Sequence, residues 1–224
     1  MHPPILQETK DWLAVNKFSD MAVEGSKEGS PTVQSTIYDY LAKKRKKPYV
    51  GMVHRLDRVT SGVILIAKKK SVLLLLNEIF RERQIQKTYI ALSDIAPKIP
   101  KALLEHHHVQ DRTERKAILF DTPQSKSKVC KLRYEYIQPS DMGYHLIKVA
   151  LLTGKYHQIR AQLASINCPI VGDEKYGSKA AYYKRAIALH AWQLQFVDPI
   201  TKNNIFLKAR PPIDPFWNDF KEIL

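Results

Sequence analysis

His54, Arg55, Asp57 and Arg58 crowd within five positions, and Thr60, Ser61 and Gly62 follow directly. A carboxylate set among cations and turn-forming residues can be held ionised at a fixed place, as a nucleophile or general base requires. The unbroken apolar run Val63 to Ala67 comes next, the pattern of a strand buried on both faces, so the polar residues must sit at the mouth of a core strand. A second constellation lies further along. His157 and Arg160 are three apart on a predicted helix from Lys155 to about Ile166, whose apolar stripe is Tyr156, Ile159, Leu163 and Ile166. Arg160 flanks that stripe, and a partly buried guanidinium needs an anion. Asp57 is one candidate, and an arginine beside it would lower its pKa. Taken alone, Asp57 also fits a plain salt-bridged loop residue.

The elements that must position these residues follow from periodicity. Trp12 to Val15 opens the chain as a short strand, and Lys17 to Pro31 has an irregular surface composition. Val33, Ile37, Tyr40 and Leu41 keep helical spacing into the basic run Lys43 to Lys47. Ser71 is the expected N-cap of a helix from Val72 to Arg83, and Gln86 to Leu92 alternates as a strand. Lys101 to Phe120 shows no clear pattern. Val129 to Ile137 and Tyr144 to Leu152 predict a hairpin turning at Pro139 to Gly143. Ala188, His190, Trp192, Leu194 and Phe196 alternate, Asn204 to Lys208 is the partner strand, and a last helix is expected over Pro215 to Leu224. Strands outnumber helices with antiparallel neighbours, so the class is α+β with a largely antiparallel or mixed sheet. No repeat or Gly/Ser linker divides residues 1–224, which predicts one domain with lobes.

Composition narrows the classes. At 224 residues, 44% hydrophobic and 26% charged, the chain has the make-up of a folded globular protein, not of a disordered or collagenous one. Cys130 and Cys168 form no CxxC pair, and no apolar stretch approaches the roughly 18 residues of a membrane span. Met1 to Asn16 lacks a signal-peptide core, so a cytoplasmic protein is expected. Thirty-six Lys and Arg against 22 acidic residues leave a formal net charge of +14, with a pI near 9.7, which favours a polyanionic partner. The clusters Lys43 to Lys47 and Lys68 to Lys70 are the candidate phosphate contacts, with a solvated face as the alternative.

The motifs themselves carry a resemblance. HRLDRVTSG at His54 to Gly62, KTYIAL at Lys87 to Leu92 and LLTGKYHQIRAQLASINCPIVGDEKYG at Leu151 to Gly177 resemble the three motifs of the RluA-type pseudouridine synthases, and WLAVNK at Trp12 to Lys17 and LHAWQLQF at Leu189 to Phe196 continue the match. The resemblance implies a bent mixed sheet with helices and loops on its faces and a central basic cleft that receives RNA. It implies isomerisation of uridine to pseudouridine in a structured RNA, ribosomal or transfer, with the target nucleotide flipped out of its stack. Asp57 matches the catalytic aspartate, Tyr89 the cleft tyrosine that meets the base, and Arg160 the arginine that pairs with the aspartate. Arg55 matches an arginine that helps displace the nucleotide. His54, Arg58, Thr60, His157 and Gln158 complete the expected substrate contacts. Phe18 stands where the family often has Pro, and Lys155 where Arg is frequent. The pattern begins near Trp12, so no N-terminal S4 domain is expected. Neither is an obligate protein partner, and a monomer follows.

Rivals are weaker. Three consecutive histidines, His106 to His108, cannot converge on one ion, and no P-loop or GxGxxG is present, so neither metal nor nucleotide cofactor is expected. His190 fits a core histidine and Cys168 a small apolar residue. A non-catalytic RNA-binding protein would not need Asp57, Tyr89 and Arg160, and a nucleoside or glycoside hydrolase would need a second carboxylate or a metal.

Overall fold

The computed structural model describes residues 2–25 and 29–224. In chain order the strands are β1 (Ile5–Glu8), β2 (Trp12–Lys17), β3 (Gly51–Met52), β4 (Ser61–Ala67), β5 (Gln86–Ser93), β6 (Lys101–Asp111), β7 (Lys116–Phe120), β8 (Lys128–Pro139), β9 (His145–Leu151), β10 (Leu189–Val197) and β11 (Asn204–Lys208). The helices are α1 (Val33–Ala42), α2 (Lys70–Arg81), α3 (Gln158–Ser165) and the short α4 (Pro215–Asn218). No helix among the described residues is long and apolar enough to cross a membrane. The chain divides into two compact units, one comprising residues up to Gln86 with Ala191–Pro211 and the other Lys87–His190 with Pro212–Leu224.

In the first unit every residue of β4 is buried, because the strand has a core on each side. Val63, Leu65 and Ala67 join Trp12 and Ala14 of β2 against Val72 and Leu76 of α2. Ile64 and Ile66 join Leu13 and Val15 against Val33, Ile37 and Leu41 of α1. The period-two alternation of a strand thus sends neighbouring residues to opposite cores, and the run must be apolar throughout. β2 pairs antiparallel with β4 in the register Trp12↔Ala67 to Lys17↔Gly62. β1 pairs with β2 and β11 with β10, both antiparallel. β4 also neighbours β10; there Gly62 has φ +117, and a Cβ on it would lie 2.3 Å from the Ala191 carbonyl oxygen. Only glycine allows that approach. Thr32 caps α1 reciprocally with Ser35.

The second unit is an antiparallel sheet in the order β5, β9, β8, β6, β7. Helix α3 packs on β7.

Several boundaries differ from expectation. β1 adds a strand ahead of Trp12. α2 begins two residues early, with the extended Lys69 at its N-cap and no side-chain cap, so Ser71 lies inside the helix. α3 begins at Gln158 because His157 takes a left-handed conformation, φ 51, that ends the preceding turn. Lys101 to Phe120 is the long hairpin β6 and β7. α4 is one turn, its Phe216 N–H met by the Asp214 side chain.

Candidate active site

Asp57 sits on the loop that leads from β3 into β4, and the Thr60 N–H donates to the Asp57 carbonyl at 3.1 Å, closing a tight turn around Arg58 and Val59. The turn is fastened from below by a lysine. Lys17, at the end of β2, is 0% exposed, and its ammonium donates to the carbonyls of Phe18 and Met21 at 2.8 Å each and of Arg58 at 3.2 Å. Burial pushes its pKa down to about 7, with the charges of Asp57 and Asp20 opposing that fall. Arg58 donates through Nε to Asp20 at 2.9 Å. The Arg55 side chain is 75% exposed and approaches Glu24 at 3.9 Å. His54 stacks on Phe80 at 4.9 Å and accepts the Leu65 N–H on Nε2 at 3.1 Å, so its ring anchors the loop to β4. Thr60 is 2% exposed and its hydroxyl has no hydrogen-bond partner among the described residues.

Tyr89 and Arg160 belong to the second unit. Tyr89 is a buried residue of β5, opposite Val149 of β9. Arg160 meets a carboxylate whose sequence surroundings mark it only as a turn residue: Asp173, 1% exposed, takes Nε at 2.6 Å and Nη2 at 2.8 Å. This two-point fork is the strong form of an arginine ion pair. Gly172, at φ +84, makes the turn that presents Asp173. A buried arginine followed by an acid between two glycines is the signal that points to the pair.

His157 lies 2.9 Å from Arg160 Nη1 through Nε2 and 3.0 Å from the Tyr176 hydroxyl through Nδ1, and it stacks on Tyr156 at 3.8 Å. Burial, then the Arg160 charge, push its pKa down to about 3. Burial also pushes the Tyr176 phenol up to about 12. Gln158 is buried with its amide engaged: Oε1 accepts from the Thr153 hydroxyl and the Lys155 N–H, and Nε2 donates to the Lys131 carbonyl and Gln162. His106 accepts from the Gln162 amide at 3.0 Å, and the His108 ring meets the Tyr156 carbonyl at 2.9 Å. Alternate histidines of β6 therefore brace the helix that carries Arg160 and the turn that precedes it. His190 is buried near Trp217, and burial raises the pKa of Cys168 to about 11.

The first unit thus offers a carboxylate on a pinned turn, and the second a buried tyrosine and a forked arginine; comparison with known proteins gives the family. The family model described as RNA pseudouridylate synthase matches residues 11–165. The ribosomal large subunit pseudouridine synthase C of Buchnera aphidicola subsp. Baizongia pistaciae is 35% identical over 94% of this chain and 67% of its own length. An uncharacterized RNA pseudouridine synthase of Haemophilus influenzae is 29% identical over 97% of this chain and 91% of its own. Among solved structures, human RNA pseudouridylate synthase domain containing 4 matches with a TM-score of 0.76 at 23% identity, covering 98% of this chain and 92% of that one, which shows the fold. The chain belongs to the RNA pseudouridylate synthase family. It is an isomerase that converts uridine to pseudouridine in RNA.

Proposed function

We propose that the substrate is large-subunit ribosomal RNA and that Asp57 is the nucleophile, with Tyr89 and Arg160 serving the same reaction. The observation that carries the target is the 35% identity to a ribosomal large subunit pseudouridine synthase C over 94% of this chain. In the reaction the N1 to C1′ bond breaks, the uracil turns, C5 bonds to C1′, the C5 hydrogen departs as a proton, and N1 takes a proton up. The target must first leave its stack, at a cost of about a few kcal/mol offset by backbone contacts and by stacking on Tyr89. Asp57 then adds to the base or sugar, or removes a ribose proton. Arg55, exposed beside the Asp57 turn, serves nucleotide displacement, and Tyr89 assists the departing proton. The reading includes a cytoplasmic monomer, checked by light scattering of the purified protein.

RNA tritiated at C5 of uridine tests the roles. The unmodified protein releases label to water in step with product, and Asp57→Ala and Asp57→Asn release none while still binding RNA. Full release by Asp57→Ala would exclude Asp57, and free uracil with label retained would mean hydrolysis. Mapping pseudouridine in total RNA from cells with and without the gene tests the target. A lost site in transfer RNA, with ribosomal sites intact, would overturn the large-subunit assignment.

A further inference from the structure

The Arg160 guanidinium is held by more than an ion pair. Its N–H groups can only donate, so the His157 Nε2 facing Nη1 at 2.9 Å must accept. The imidazole is then neutral with its hydrogen on Nδ1, and Nδ1–H donates to the Tyr176 hydroxyl oxygen at 3.0 Å. That oxygen also accepts the Ala117 N–H at 2.7 Å, which ties the phenol to β7. The Tyr176 ring in turn lies under Arg160, with the guanidinium carbon 5.1 Å from its centroid. Asp173 closes the opposite side with its fork, and its own backbone is fixed by bonds to Ile170, Tyr176 and Ser178. Three of the five guanidinium hydrogens are thereby assigned, and its plane is set by carboxylate, imidazole and phenol ring together.

We propose that His157, Asp173 and Tyr176 are positioning residues that fix the orientation of Arg160 for the isomerisation, with His157 acting as a neutral Nδ1–H imidazole and not as a substrate contact. The inference rests on the reading that Arg160 serves the reaction. It explains why a histidine occupies a left-handed N-cap, an unfavourable place for a bulky side chain. In that conformation the ring stacks on Tyr156 and delivers one nitrogen to each partner.

The test compares Tyr176→Phe, Asp173→Asn, His157→Leu and His157→Gln with the unmodified enzyme and Arg160→Met in pseudouridine formation on a large-subunit RNA transcript. Glutamine keeps an acceptor for Arg160 and a donor for Tyr176, so His157→Gln recovers most of the turnover that His157→Leu loses. Tyr176→Phe and Asp173→Asn lower kcat by about tenfold or more while KM for RNA stays within about twofold. Nitrogen-15 spectra of the unmodified protein show His157 protonated at Nδ1. An Nε2–H tautomer, unchanged kcat in Tyr176→Phe, or His157→Gln as impaired as His157→Leu overturns the proposal. Should Asp173→Asn fail to fold, the Tyr176 and His157 variants decide it. Normal kcat in Arg160→Met removes the Arg160 reading itself, whereas a slow Arg160→Met beside normal positioning variants removes only this inference.

Discussion

Lys17 shows how far the placement of Asp57 depends on a residue outside its own motif. A fully buried ammonium is costly, and three carbonyl acceptors offset that cost. Lys17→Met would relieve the charge but strand the three carbonyls, each a loss of roughly 1–3 kcal/mol. The expected outcome is a net destabilisation of about 3 kcal/mol in urea titration, and a midpoint equal to that of the unmodified protein would show that the carbonyls find other donors. His157 sets a pH window. Its pKa falls from 6.5 to about 3 in the fold, so between those values the unfolded chain binds a proton that the folded chain does not. Stability from this group is complete above pH 6.5 and is lost as pH falls through 6.5 towards 3. His157→Gln, which cannot titrate, should flatten the loss of stability between about pH 7 and 4.5, and parallel curves for the two proteins would contradict the shift.

At the scale of elements, β4 carries the design of the first unit. Gly62→Ala combines a backbone conformation that L side chains rarely adopt with a 2.3 Å clash against Ala191, and should cost about 3 kcal/mol or more. Soluble Gly62→Ala protein with an unchanged melting temperature would contradict the close approach of β4 to β10. β4 is legible in the sequence because burial on both faces forces an apolar residue at every position from Val63 to Ala67. The hairpin of β6 and β7 is not: β6 alternates between exposed and half-buried residues from Lys101 to His106, and its one buried residue is a histidine, His108, so its pairing with β7 and β8 leaves little hydrophobic imprint. The start of α2 departs from expectation because local capping chemistry favours Ser71, whereas the helix is held by Val72 and Leu76 in the core.

For the whole molecule the issue is how the positive charge is distributed between internal partners and solvent. Lys44 and Lys68 share Glu8 at 3.2 and 2.8 Å, Lys69 pairs with Asp11 at 2.6 Å, and Arg45 donates to the Lys68 carbonyl at 3.0 Å. Glu8 is held down to about 2, its bonds to Lys68, Tyr40 and Lys44 outweighing the upward push of burial. Much of the two basic clusters is therefore structural, and the exposed Lys43, Lys46 and Lys47 are the ones expected to meet phosphate. Replacing those three with Gln should weaken RNA binding and reduce the slope of log affinity against log salt by about 2, at roughly 0.7–0.9 for each phosphate no longer neutralised. An unchanged slope would place the RNA path elsewhere.

Chemistry that is local along the chain was determined by the sequence itself: Asp57 in its turn before an apolar strand, the three-residue spacing across which His157 meets Arg160, the α+β class and the basic balance. Tertiary structure alone decided the partners that arrive from elsewhere in the chain. Lys17 reaches the Arg58 carbonyl from β2, and Asp173 and Tyr176 reach Arg160 and His157 from a turn beyond α3. Side-chain type and spacing record what a residue can donate or accept. Which of many possible acceptors it finds depends on long-range packing, and no periodicity along the chain encodes that.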